Sequence, residues 1–176
     1  VTFSSTINGE QNLTVNADNG AVTLGGVVGG STGLSVLTVT AGTLIDVNAA
    51  ITNADSVTFN GNSDIGANIT ATAGAITLNG TNNTISGGNR TLSATTDIDI
   101  NGDISGAQEL NLSATINVYL GTVGLGDDPK KLDIDTATLY LEGGAITVDG
   151  PVFLDQTTTT NVANTVTIDT TGRGDD

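Results

Sequence analysis

A three-residue pattern with apolar first and third residues and a small or polar middle residue recurs along this chain. The copies form two interleaved series, and most steps within a series are about 18 to 24 residues. The first series is Leu13-Thr14-Val15, Leu37-Thr38-Val39, Val57-Thr58-Phe59, Leu92-Ser93-Ala94, Leu110-Asn111-Leu112, Leu132-Asp133-Ile134, Val152-Phe153-Leu154 and Val166-Thr167-Ile168. The second is Val1-Thr2-Phe3, Val22-Thr23-Leu24, Ile45-Asp46-Val47, Ile76-Thr77-Leu78, Ile98-Asp99-Ile100, Val118-Tyr119-Leu120 and Leu139-Tyr140-Leu141. Such alternation is typical of short β-strands, and its return at a similar step indicates a repeat architecture.

Turn signals separate these triplets, mainly Asn-Gly and Gly-Gly pairs such as Asn60-Gly61, Asn79-Gly80 and Asn101-Gly102. Short strands that bend at Gly and Asn and return after about 20 residues predict an all-β chain wound into coils, each strand pairing in parallel with its counterpart one coil away. We therefore expect residues 1–176 to form a single β-solenoid domain of about eight coils with roughly 20–22 residues per coil. An antiparallel sandwich also has short strands, but it gives no reason for side-chain identity to repeat at a fixed step.

In this arrangement the middle residue of each triplet faces solvent, and like residues form columns along the coil axis. Tyr119 and Tyr140 are consecutive middle residues, which predicts that they stack on the outer face. The spacing breaks between Val57 and Ile76, where we expect a short or irregular coil. The stretch 126–131, with both lysines and Pro129, predicts a protruding corner loop.

Composition excludes several classes of function. The chain has no His and no Cys, so it has neither imidazole nor thiolate for catalysis or zinc binding, and we expect no enzyme activity. Four Lys plus Arg stand against nineteen Asp plus Glu, giving a net charge of -15. Nucleic acids and anionic membranes are therefore poor partners, and no apolar run is long enough to insert into a membrane. Because Met is absent even at position 1, the sequence is expected to be a processed chain or a segment of a longer one.

Few residues suggest a ligand site. Asp97 and Asp99 alternate on one strand, and carboxylates without His or Cys favour calcium if any metal binds; a solvated acidic surface is the alternative, and no cofactor is expected. The tripeptide Arg173-Gly174-Asp175 is associated with integrin binding, or else it is simply a turn. The two tyrosines offer a second candidate contact.

The two ends of the sequence match each other. If Val1 of another copy followed Asp176, the junction Asp-Asp-Val-Thr-Phe would resemble the internal stretch 55–59, Asp-Ser-Val-Thr-Phe. Solenoids that stand alone need caps, and none is evident. We expect one unit of a longer tandem array or a subunit that stacks on copies of itself, each unit adding about 35–40 Å of rod at about 4.8 Å per coil.

The runs VTFSSTINGEQNLTVNADNGAVTLGGVVGG and LSVLTVTAGTLIDVNAAITNADSVTFNG resemble the Gly/Thr/Asn-rich strand repeats of very large bacterial surface proteins, similar to filamentous-haemagglutinin-type adhesins. This resemblance implies secretion, a right-handed parallel β-helix, and a role as an extended stalk, fibre or adhesin. The hypothesis is a structural extracellular rod or filament at the cell surface. The alternative is an adhesive module that recognises a glycan or a cell-surface receptor through Tyr119, Tyr140 or Arg173-Gly174-Asp175.

Overall fold

A computed structural model describes residues 1–124, 127–143, 145–162 and 166–170 of the chain. Within these residues all regular structure is β-strand, and there is no helix. The strands are β1 (Thr2–Phe3), β2 (Leu13–Asn16), β3 (Val22–Leu24), β4 (Leu34–Thr40), β5 (Ile45–Val47), β6 (Ile51–Asn60), β7 (Ser63–Ile65), β8 (Ile69–Ala71), β9 (Ile76–Leu78), β10 (Asn82–Ile85), β11 (Arg90–Ala94), β12 (Asp97–Ile100), β13 (Asp103–Ser105), β14 (Glu109–Ala114), β15 (Asn117–Leu120), β16 (Lys131–Leu141), β17 (Ala145–Thr147), β18 (Val152–Val162) and β19 (Thr167–Asp169).

Every strand pairs in parallel with a strand from the neighbouring coil, so the chain is a β-solenoid of about eight coils, as the sequence predicted. Three faces run along its axis. Face A contains β1, β3, β5, β7, β10 and β13, continues through the single bridges of Val123, and ends with β17 and β19. Face B starts with the bridges Ile7–Val28–Ile51 and continues through the first half of β6, β8, β11, β14 and the first halves of β16 and β18. Face C contains β2, β4, the second half of β6, β9, β12, β15 and the second halves of β16 and β18.

Alternation within each strand decides which side chains enter the interior. In β12 the side chains of Ile98 and Ile100 are almost completely buried, while Asp99 between them is half-exposed. The same inward aliphatic and outward polar order holds in β3, β5, β9 and β15, with Thr23, Asp46, Thr77 and Tyr119 outside. Aliphatic columns therefore fill the interior, and the outward placement of the middle residues is confirmed.

Three strands per coil, rather than the two implied by the two sequence series, make up the repeat. The first series starts on face C with residues 13, 37 and 57 and then moves to face B at residue 92. The second starts on face A and moves to face C at residue 76. The second series leaves face A because the residues that follow Ile45 in its inward column are polar. They are Ser63 and Asn83, which break the aliphatic pattern.

The region between Val57 and Ile76 is short but continuous. On face C, Val57 pairs directly with Ile76 and Phe59 with Leu78. The irregularity lies on face B, where β6 and β8 change register between Ile51 and Ala54 in a β-bulge. The predicted short coil is therefore present, but the bulged residues of β6 lie before Val57. The spacing breaks in the sequence because both series change to another face at this point.

The corner between faces C and A is built from stacked Asn-Gly pairs. Side-chain amides link successive coils here, with Asn79 Nδ2 donating to Asn60 Oδ1 at 2.8 Å and Asn101 Nδ2 donating to Asn79 Oδ1 at 2.9 Å. The following glycines lie so close together that a Cβ on Gly102 would stand 2.1 Å from the carbonyl oxygen of Gly80. The Asn-Gly turn signals are therefore equivalent positions in successive coils.

The predicted loop at 126–131 lies at a corner, with Gly126 outside the described residues. Its backbone is tied to the coils on either side, because Gly106 N donates to Asp127 O at 2.8 Å and Asp149 N donates to Pro129 O at 2.7 Å. Lys131 already belongs to β16. The segment from Asp127 to Lys130 therefore continues the hydrogen-bonded stack of coils.

Candidate binding surfaces

Tyr119 and Tyr140 form a stacked pair on the outer surface of face C. They are direct register partners in β15 and β16, and their ring centroids lie 4.5 Å apart with an angle of 11° between the ring planes. Both side chains are half-exposed. The predicted stacking is thus confirmed, and it follows from two identical residues occupying the same outward position in consecutive coils.

The pair lies in an acidic environment. Burial beside the neighbouring coil raises the pKa of the Tyr119 phenol, and the charges of Tyr140, Asp97, Asp99 and Glu142 add to this effect in decreasing order. The pKa of Asp99, which precedes Tyr119 in the same outward column, is also raised, mainly by burial. A hydrogen bond from Asn101 opposes that rise, and the charge of Asp97 adds to it.

The arrangement limits what the tyrosines can bind. Each ring uses one face to stack on the other ring, and the column neighbour of Tyr119 on its far side is Asp99. A sugar that binds an aromatic residue through its apolar C–H face needs a free ring face. Tyr119 therefore presents mainly its ring edge and hydroxyl group, which suit hydrogen bonding rather than sugar stacking.

The carboxylates of this region are engaged with polar side chains. Asn117 Nδ2 donates to Asp97 Oδ1 at 2.7 Å across β15 and β12. In the part of the chain that the structure describes, no three or more Asp and Glu side chains come together in a way that could hold a metal ion. The structure therefore adds no support to the calcium hypothesis.

A second aromatic surface, on face B, was missed as a candidate site by the sequence analysis. Phe153 is 51% exposed, and Lys131 Nζ lies 5.2 Å from its ring centroid. Lys131 also pairs with Asp133 at 2.8 Å, and this hydrogen bond is the main cause that raises the lysine pKa. Together with Val152, Leu154 and Asp155 these residues line an open groove of about 470 Å³.

The signal for this groove was present in the sequence. Asp133 and Phe153 are consecutive middle residues of the first series, and they are direct register partners in the structure. An apolar ring in an outward column of polar residues marks an exposed aromatic contact, as the two tyrosines do on face C. Only the pairing across coils brings Lys131 to the ring.

The remaining predicted contact, Arg173-Gly174-Asp175, lies outside the described residues. No helix in the described part of the chain is long and apolar enough to cross a membrane. The chain matches no known protein family, no characterised protein and no solved structure in the three comparisons made.

Proposed function

We propose that this chain is a structural segment of an extracellular rod or filament on a cell surface, similar in role to the stalks of filamentous-haemagglutinin-type adhesins. The observation that carries the proposal is the parallel strand ladder on three faces, which passes from the first described coil to the last. Such a stack has no internal limit on its length, because each coil contacts only its neighbours. Its role is mechanical and spatial rather than catalytic.

The first coil supports continuation of the stack. Phe3, Ile7 and Leu13 begin one interior column on each of the faces A, B and C and are only half-buried, whereas Leu24, Val28 and Leu37 above them are 0% exposed. The backbone groups of β1 and β2 on this side can accept a further parallel coil. The last described strands, β18 on faces B and C and β19 on face A, lie on the same three faces, so a copy stacked end to end offers strands at the positions where this end can accept them.

The surface charge supports an exposed, non-aggregating rod. A net charge of -15 makes rods repel one another sideways and disfavours contact with nucleic acid or anionic lipid. Without cysteine, the fold does not depend on the redox state of its surroundings. Both features fit an extracellular location.

Electron microscopy of the native material, combined with denaturing electrophoresis of the same sample, tests this proposal. We expect fibres whose axial repeat is about 35–40 Å per unit, given about 4.8 Å per coil. The mass in denaturant then distinguishes covalent tandem arrays from stacked chains of 17.5 kDa. Compact, monodisperse particles from native material would contradict the rod.

The second candidate function is adhesive recognition of a glycan or a cell-surface receptor, and the exposed Phe153 groove favours it. The ring offers an apolar contact, and Lys131 with Asp133 offers donors and acceptors for sugar hydroxyls. Binding of the purified chain to a glycan and cell-surface panel tests it, with Phe153→Ala as the groove variant and Tyr119→Phe and Asp175→Ala as variants of the other contacts. If all three variants bind like the wild type, none of these contacts is the adhesive site.

A further inference from the structure

The chain concentrates all of its readily oxidised side chains at one place. It contains no Cys, Met, Trp or His, and its only two tyrosines are Tyr119 and Tyr140. An electron removed from one phenol therefore leaves a radical that has no more easily oxidised side chain to which it can migrate. The only other phenol in the chain is the adjacent ring.

The geometry places this second ring within immediate reach. The centroids lie 4.5 Å apart, the planes are 11° from parallel, and both side chains are half-exposed, so a small oxidant can reach them. The parallel strands hold the two backbones in direct register. Holding two reactants side by side gives effective concentrations far above those of a separate molecule in dilute solution.

We propose that Tyr119 and Tyr140 are a site of oxidative cross-linking, at which a dityrosine bond joins two successive coils of the rod. Each phenol loses one electron and its hydroxyl proton, and the two phenoxyl radicals form a carbon–carbon bond between ring positions adjacent to the hydroxyl groups. The hydrogens on those two carbons move to the oxygens as the rings regain aromaticity. The product has lost two hydrogen atoms, and a peroxide such as hydrogen peroxide, acting through one-electron steps, takes them up to give two waters.

The link closes a loop of the chain from residue 119 to residue 140, which is one complete coil. It acts as a covalent staple in a protein that has no disulfide, and it restricts the unfolded chain more than the folded one. The acidic neighbours Asp97, Asp99 and Glu142 favour cationic or neutral oxidants over anionic ones at this site. Exposure to oxidant therefore strengthens this part of the rod.

Photo-oxidation of the full chain in dilute solution with a cationic ruthenium tris(bipyridine) complex and persulfate tests the proposal. We expect a monomeric product lighter by two hydrogen atoms, with dityrosine fluorescence and a cross-linked peptide pair that contains both tyrosines. The fraction converted per unit time should not change on tenfold dilution. The stapled chain should also unfold at a higher temperature than the untreated chain.

Two kinds of variant serve as controls. Tyr119→Phe and Tyr140→Phe each keep an aromatic stack but leave one phenol, so neither should give the monomeric product. The double variant Tyr140→Phe/Thr77→Tyr keeps two tyrosines in the same column but places them two coils apart, with Asp99 between them. Its cross-linking should be intermolecular and should slow on dilution. Cross-linked dimers as the main product of the wild type, or loss of tyrosine without dityrosine, would overturn the proposal.

Discussion

At the scale of single residues, two of the buried polar side chains of face A, Ser63 and Asn83, stabilise the stack through hydrogen bonds between coils. Ser63 Oγ donates to Asn83 Oδ1 at 2.7 Å, and Asn83 Nδ2 donates to the backbone oxygens of Gly80 and Asp103 at 3.1 and 3.2 Å. Both residues are almost fully buried. Their hydrogen bonds satisfy groups that would otherwise be costly to bury, and they fix how the coils align.

Replacing Asn83 with Ala should therefore destabilise the rod by about 1–3 kcal/mol, because Ser63 and two backbone oxygens lose their partner. The measurement is the free energy of unfolding in urea. Asn82→Ala is the matched control, since Asn82 is adjacent but exposed, and its effect should stay within about 0.5 kcal/mol. Equal effects of the two substitutions would show that the buried amide is not important for stability.

Asp99 should make stability depend on pH. Its pKa in the folded chain is raised above the ordinary value of 3.8, so between these two values the folded chain holds a proton that the unfolded chain releases. The free energy of unfolding contributed by this group therefore falls as the pH rises through that window. Asp99→Asn removes this contribution, and the variant should gain stability relative to the wild type over the same window. Urea unfolding at a series of pH values checks this, and parallel pH profiles of the two chains would contradict it.

At the scale of strands and corners, the sequence predicted where strands form better than it predicted the face of the solenoid to which each strand belongs. Triplets such as Ile98-Asp99-Ile100 form strands because alternation alone decides which side chains are buried. The sequence did not show the continuation of face A. Its inward residues Ser63 and Asn83 are polar, and Val123 forms only isolated bridges there. The face to which a strand belongs is determined by its pairing with a strand about 20 residues away. The alternation of apolar and polar residues within one strand contains no information on that pairing.

The same distinction applies to the candidate sites. The Tyr119–Tyr140 stack could be predicted because identical residues recur one coil apart in one series. The exposed ring of Phe153 could be predicted in the same way, since it is a middle residue of the first series. The contact of Lys131 with that ring could not, because it runs diagonally from β16 to β18. Sequence spacing therefore predicts contacts between like residues at the same position of successive coils. Contacts between different positions can be predicted only when the register of the paired strands is known.

The amide column at the corner between faces C and A gives a prediction at this scale. Asn79→Ala removes one donated and one accepted bond, each worth about 0.5–1.5 kcal/mol, so the loss should be about 1–3 kcal/mol. Thermal unfolding followed by circular dichroism measures it. Asn12→Ala, at an exposed position of the first coil, is the control and should change little. A loss no larger than that of the control would mean that the amide column adds nothing beyond the backbone ladder.

At the scale of the whole molecule, repulsion among carboxylates opposes the stack. Asp135 and Asp155 are direct partners on face B, and the chain carries fifteen net negative charges. Raising the salt concentration from about 0.01 M to about 1 M shortens the screening length from about 30 Å to about 3 Å. The melting temperature should therefore rise with salt, by roughly 2–4 °C for each kcal/mol of repulsion removed. Asp155→Asn should reduce this dependence, and a melting temperature that falls with salt would contradict the prediction.

The register of the strands also determines how the rod responds to a pull along its length. Since Tyr119 and Tyr140 are partners, one coil contains 21 residues, as the difference 140 − 119 shows. In the rod this coil advances the axis by about 4.8 Å, whereas the same 21 residues fully extended span about 70 Å. We therefore expect that a chain pulled by its two ends unfolds one coil at a time from an end, and that each unfolded coil becomes more than tenfold longer. In the proposed role as a stalk, the same fold would combine a stiff spacer with a reserve of extensible chain, released one coil at a time.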